Sequence, residues 1–276
     1  MARDDLPTLD LAHSSGARAR VHLQGAHVSS WTDAAGEELL FVSSRSRFEP
    51  GAPIRGGVPV IFPQFADQGP LPKHGFARTA AWELAEQGTD PDGSAFALLR
   101  LADTDETRAL WPHPFRAELR VTLDGALTLA LRVANTGDGT FAFTCALHTY
   151  FRVGDVREAA VEGLRGVRYL DKVEAGAERT EERDAVTVAG EVDRVYVGAP
   201  DRLLVRDGAR ARAVVLEKEG FADAVVWNPW TELARELPDM ADDEYLEMLC
   251  VEAAVAVEPV HLAPGEEWTG TQRLGV

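Results

Sequence analysis

The sequence is short of cysteine: Cys145 and Cys250 are its only two. Both lie inside apolar runs without metal-ligand spacing, so neither a disulfide framework nor a cysteine-based metal site is expected. Free thiols in a reducing cytoplasm are the simplest reading. Basic side chains are scarce as well, 28 Lys and Arg against 45 Asp and Glu, for a net charge of −17. This argues against nucleic acid as a partner, because a phosphate backbone asks for a basic face. It argues equally against an anionic membrane surface. No apolar run approaches the roughly 18 residues of a membrane span. The opening MARDDLPTLD lacks the apolar core of a signal peptide. A Gly-rich nucleotide loop and a compact ligand cluster are both missing, so no cofactor and no metal are expected. Helical periodicity is nearly absent too. Only residues 105–108, 231–237 and 242–245 look helical, and all three are short.

What remains is strand. Leu9 and Leu11 alternate with polar neighbours, as do Val21 and Leu23, with Gly16, Gly25 and Gly36 between the runs. Turns recur about every ten residues, the spacing of β-meanders. Period-two alternation on both sides of Asp124-Gly125 predicts a hairpin over 115–133, since Asp-Gly suits the tight turns that join antiparallel strands. Asp207-Gly208 predicts another hairpin, and Asp90-Pro91-Asp92-Gly93 a third strand pair over 82–101. No repeat or linker divides the chain. The prediction is one all-β domain over residues 1–276, a large antiparallel sandwich or barrel with a few short helical turns. Nothing demands an oligomer, and a monomer is expected.

Residues 53–82 break the strand pattern. The segment holds five prolines, four glycines, Gln64, His74 and the cations Arg55, Lys73 and Arg78. Such a chain of fixed turns holds polar side chains in place without a helix or sheet. A cationic cluster in so acidic a chain points to a bound anion, though an ordered loop with solvated charges has the same composition. Glycines beside the cations are expected to let backbone approach a ligand.

Two strands carry an ionisable group on an unexpected face. In 141–151, FAFTCALHTYF, the odd positions are apolar except Thr149, and His148 stands among small residues on the other face. An imidazole there is either a half-buried structural group or a proton carrier near neutral pH. In 246–256, LEMLCVEAAVA, Glu252 shares a face with Leu246, Met248, Cys250 and Ala254. Burial raises a carboxyl's pKa, which would suit a general base, while a structural ion pair is the alternative. Asp193, at the start of an apolar strand, fits either a sugar-hydroxyl acceptor or a turn cap. Trp227, before Asn228-Pro229-Trp230, fits either a sugar platform or the core.

RGGVPVIFPQF, KHGFAR, ALHTYFRV, EVDRVY, VVWNPW and LCVEAAV occur in this order. Together they resemble the hexose-6-phosphate mutarotases, or glucose-6-phosphate 1-epimerases, of the aldose 1-epimerase superfamily. The resemblance runs over roughly residues 20–274 and includes PVHLAPGEEWTGTQRL near the end. It implies a β-sandwich of two curved antiparallel sheets with the site on a concave face. It implies that His148 is the general acid and Glu252 the general base in ring opening. It implies that Arg55, Lys73 and Arg78 bind the substrate and its phosphate, that Asp193 contacts the sugar, and that His74, Gln64 and Trp227 lie nearby. The expected partner is a small sugar phosphate. The competing readings are a mutarotase of unphosphorylated aldoses and a carbohydrate-binding module without turnover.

Overall fold

The computed structural model describes residues 6–276; residues 1–5, half of the stretch read above for a leader, lie outside it. Two large antiparallel sheets form most of the molecule, as the strand pattern predicts. One has nine strands, in the order Ala185–Thr187, Ala159–Glu162, Arg202–Asp207, Arg212–Glu219, Glu267–Gly275, Leu127–Asn135, Phe115–Leu123, Ala95–Ala102 and Glu83–Thr89. The other runs Ala177–Thr180, Arg168–Asp171, Val192–Tyr196, Asp223–Asn228, Met248–Leu262, Phe141–Leu147 and Val60–Ile61. Tyr150–Arg152 also pairs with Met248–Leu262 in this second sheet. A separate three-stranded sheet, Thr8–Ala12, Arg18–His22 and His27–Thr32, precedes them.

The three predicted hairpins form. Glu83–Thr89 pairs with Ala95–Ala102, Phe115–Leu123 with Leu127–Asn135, and Arg202–Asp207 with Arg212–Glu219. The helical turns are Asp105–Leu110, capped by the Thr104 hydroxyl, and Trp230–Glu236. Residues 242–245 fall at a 3-10 turn, Glu244–Glu247, rather than an α-helix.

Alternation along Met248–Leu262 divides its side chains between two environments. Leu249, Val251, Ala253 and Val255 enter the main core, together with Leu119, Leu129 and Leu131 of the nine-stranded sheet. Met248 and Cys250 pack with Phe41 and Tyr150, and Ala254 and Ala256 with Ile61 and Phe65, in two smaller clusters on the opposite face. Glu252 belongs to that second face. Beyond it the strand bulges: Val255 sits opposite Cys145, but Val260 sits opposite Phe143. Buried Asp223 holds the bulge, its Oδ2 accepting from the backbone N–H groups of Ala256 (2.9 Å) and Val257 (3.0 Å).

The sequence pattern predicts one strand over 141–151. The structure divides it into Phe141–Leu147 and Tyr150–Arg152, because the Thr149 N–H folds back to Leu147 O at 2.9 Å. Thr149, the polar interruption on the apolar face, is fully buried, and its hydroxyl pairs with the Gln272 amide of the other sheet (2.8 Å).

The glycines after Arg55 serve packing rather than ligand approach. A Cβ on Gly56 would stand 2.3 Å from Phe41 O. At Gly57, where φ is +61°, it would stand 2.2 Å from Val28 O and 2.6 Å from the buried His27 ring. Gly57→Ala is therefore expected to destabilise the protein by more than about 2 kcal/mol. That corresponds to a fall of roughly 4–8 °C in the thermal midpoint of a chain this size; an unchanged midpoint would contradict the packing.

Candidate active site

The cross-strand register sets the site out in two rows. Asp193 lies opposite Trp227, Trp227 opposite Cys250, and Cys250 opposite Tyr150. Two residues along, Val195 lies opposite Val225 and Val225 opposite Glu252. Ala253 is paired with Leu147, which brings the next residue, His148, beside Glu252. His148 Nε2 and Glu252 Oε1 are 3.3 Å apart. The imidazole is 9 % exposed and the carboxyl 1 %, so the pair is nearly closed off by protein.

The 53–82 segment stands over these rows. It is tied to the histidine strand through the backbone: His148 N–H donates to Pro59 O (3.0 Å) and Tyr150 N–H to Gly57 O (2.9 Å). Arg55 is thereby set above Tyr150. Its Nη1 donates to the Tyr150 hydroxyl (3.1 Å), and its Nε (3.1 Å) and Nη2 (3.0 Å) reach Asp239 Oδ1. His74 occupies a left-handed turn at φ +69°, with its Nδ1 accepting from Ala66 N–H (3.3 Å). The edge of its ring meets His148, centroid to centroid at 5.6 Å. Arg78 Nη2 donates to Lys73 O (2.9 Å), which pins the guanidinium to this turn. Among the described residues, no carboxylate lies within 4.0 Å of Arg78. Lys73 is exposed and faces Asp67 at 3.8 Å.

A cavity of about 260 Å³ is enclosed between loop and sheet. Of the nine residues singled out from the sequence, the structure brings eight to its wall: His148, Glu252, Arg55, Lys73, Arg78, Asp193, His74 and Trp227. Gln64, expected nearby, is not in the wall. Its amide is spent inside the loop, Nε2 donating to Ala66 O and Leu71 O and Oε1 accepting from Leu71 N–H, so it closes the turn that carries Lys73 and His74. Sequence reasoning missed Tyr150, Lys172 and Asp239. Tyr150 stacks on His148, with centroids 4.8 Å apart and planes 14° apart. It stood on the same alternating face as His148 and was legible there. Lys172 lines the cavity with its ammonium 4.9 Å from the Phe65 ring centroid, and no carboxylate within 4.0 Å among the described residues.

Burial governs the ionisation of the pair. It pushes Glu252 well above the ordinary carboxyl range, aided by the Asp193 charge and opposed by Lys172. It pulls His148 down to about 3, reinforced by Arg55 and Arg78. Both directions favour a neutral pair over the imidazolium and carboxylate that the sequence reading assigns to the working site. Asp193 is raised as well, by burial, against the pull of Lys172 and Lys73. Two polar atoms of the pair, His148 Nδ1 and Glu252 Oε2, are buried without a partner. Unmatched buried polar atoms are costly, and they concentrate where a ligand supplies the missing bonds.

The chain matches the aldose 1-epimerase family over residues 7–275. It belongs to that family. A relative from Cenchrus ciliaris is 44 % identical over 260 residues, covering 91 % of this chain and 79 % of the relative. One from Escherichia coli K12 is 37 % identical over 271 residues, covering 94 % and 90 %. Both bear the name "Putative glucose-6-phosphate 1-epimerase". The crystal structure of a Salmonella typhimurium protein described as a "putative mutarotase" superposes with a TM-score of 0.91 at 32 % identity, over 100 % of this chain and 91 % of that one. This member of the aldose 1-epimerase family is accordingly an enzyme of the mutarotase type, with the mutarotase fold. No helix among the described residues is long and apolar enough to cross a membrane.

Proposed function

We propose that the protein interconverts the α and β anomers of a hexose 6-phosphate. The observation that carries this reading is the buried His148–Glu252 contact on the wall of a cavity that also holds cations without carboxylate partners. Ring opening removes a proton from the anomeric hydroxyl and delivers one to the ring oxygen. Glu252 accepts the first and His148 gives the second; the carbonyl turns, and the roles reverse as the ring closes on the other face. The pair needs one proton between them, held by His148 as the ring opens.

The cations give the far end of the sugar its anchor. Arg55 and Arg78 offer forked donors to phosphate, and Lys73 adds a point charge at the loop's outer side. Asp193 is placed to accept from sugar hydroxyls, and Trp227 offers an apolar ring face. His74 would buttress the His148 ring, with its Nδ1 engaged by the Ala66 N–H and its Nε2 left for the substrate. A cavity of 260 Å³ is of monosaccharide scale. A phosphorylated sugar suits it better than a plain aldose, because among the described residues no carboxylate lies within ion-pair distance of Arg78.

The test is polarimetry on freshly dissolved α-anomers. Accelerated equilibration of glucose 6-phosphate is expected at concentrations where plain glucose is scarcely affected. Equal kcat/KM for the two sugars would remove the phosphate from the proposal and leave an aldose mutarotase.

A further inference from the structure

The setting of the pair raises a question of its own, because His148 has to donate while two guanidinium groups line the same cavity. We propose that an anion docked on Arg55 and Arg78 arms the pair by drawing the proton from the Glu252 carboxyl onto the His148 imidazole, so that the substrate's own phosphate switches on the group that opens its ring. This rests on the hexose-phosphate reading and adds to it that the phosphate acts on the chemical step as well as on binding.

The contacts form one unbroken line. Asp239 holds Arg55, Arg55 donates to the Tyr150 hydroxyl, the Tyr150 ring lies flat on His148, and His148 meets Glu252. The guanidinium of Arg55 is therefore kept one aromatic ring away from the imidazole. Arg78 adds a second positive charge; among the described residues no carboxylate lies within 4.0 Å of it, and Asp239 answers it only from farther off. Both oppose an imidazolium at His148, and burial opposes it further. The other charged and titratable groups around the imidazole are His74 and Lys73 from the loop, Lys172 and Asp193 from the far strands, and Cys250 beside Glu252. All of these are present with or without a ligand. Only a bound anion changes the balance.

A dianion on the two guanidinium groups cancels their repulsion and itself attracts a positive imidazole. The proton then crosses the 3.3 Å contact. The O–H bond at Glu252 Oε1 breaks, an N–H bond forms at His148 Nε2, and a neutral pair becomes carboxylate and imidazolium with no change in net charge. Those are the states in which Glu252 can take the anomeric proton and His148 can give one. In the partly dry site each unit charge at a separation of one ring has a large effect, so the midpoint of His148 is expected to rise by about four pH units, from about 3 to neutrality, on saturation.

Sulfate is the probe, since it stays dianionic throughout pH 5–8. The whole protein is labelled with 15N-histidine, the His148 signal is identified by its loss in His148→Asn, and sulfate binding is followed by calorimetry. The expected result is a neutral imidazole at pH 7 without sulfate, imidazolium character with it, and weakening of both binding and the spectral change in Arg78→Ala. A second expected result is that sulfate speeds the equilibration of plain α-glucose by tenfold or more. Sulfate that binds while His148 stays neutral and glucose turnover stays unaided overturns the switch and leaves the hexose-phosphate reading standing. An imidazolium already present without sulfate overturns it too. Failure of sulfate to bind at all overturns both.

Discussion

Glu252→Gln is expected to lower kcat for anomerisation by roughly 10²–10⁴ while leaving the affinity for the sugar phosphate nearly intact. The amide has the shape of the carboxyl and neither takes up nor releases a proton in this range. It keeps the position beside His148 Nε2, and it leaves Arg55, Lys73 and Arg78 untouched. A loss confined to kcat, with KM preserved, therefore separates proton transfer from binding. Thermal unfolding controls for folding: Glu252 is buried and its pKa is pushed well above the ordinary carboxyl range, so a neutral isostere is not expected to lower the midpoint. The pH profile gives a second reading. Activity needs one proton in the pair, so it falls in acid when both groups are protonated and in base when neither is, and the wild-type curve is a bell. Equilibration of the α-anomer at the wild-type rate in Glu252→Gln, or a flat profile between about pH 5 and 9, would end the proposed mechanism.

Arg78→Ala is expected to raise KM for the phosphorylated sugar by roughly 30- to 150-fold, which corresponds to about 2–3 kcal/mol of charge-assisted hydrogen bonding. Plain glucose should be affected far less. Arg78 is the sharper choice over Arg55, because Arg55 is already tied to Asp239 and Tyr150, and its removal strands a buried carboxylate. Arg78 spends one bond on Lys73 O and otherwise faces the cavity without a carboxylate. Losing it costs the protein little and the substrate much. Equal losses for phosphorylated and plain sugars, measured side by side by polarimetry, would show that the side chain shapes the loop rather than holding the phosphate. Arg78→Lys is expected to restore only part of the affinity, since an ammonium cannot offer a forked pair of donors.

Much of this site was legible because strands sort side chains by parity. Odd and even positions placed His148 against small residues and Glu252 in line with Met248 and Cys250, and the structure puts both on one face of one sheet. The Asp-Gly turns marked three hairpins for a similarly local reason. Partnerships between strands distant in sequence were not legible. Nothing in the chain announces that Asp193, Trp227, Cys250 and Tyr150 form a single row, or that Asp239 meets Arg55 across 184 positions. The electrostatic setting of His148 was hidden on the same ground, since it depends on guanidinium groups that arrive from another part of the fold. Gln64 was misplaced because an amide in a turn-rich loop can serve its own backbone as readily as a ligand, and composition does not distinguish the two. The glycines beside Arg55 likewise answer to Phe41, Val28 and His27, neighbours that only the folded chain supplies.

The bulge after Val255 has an evolutionary consequence. Met248–Leu262 spends five steps from Val255 to Val260 where its partner spends two from Cys145 to Phe143, and Asp223 clamps the excess. Surplus length is thus stored downstream of Glu252 and secured there. Descendants of this gene are expected to tolerate a codon gained or lost at the exposed positions 258–259, beyond the clamp, with the carboxyl undisturbed. A single codon added between 250 and 252 would rotate that carboxyl into the hydrophobic interior and leave a well-paired strand with nothing to offer a sugar.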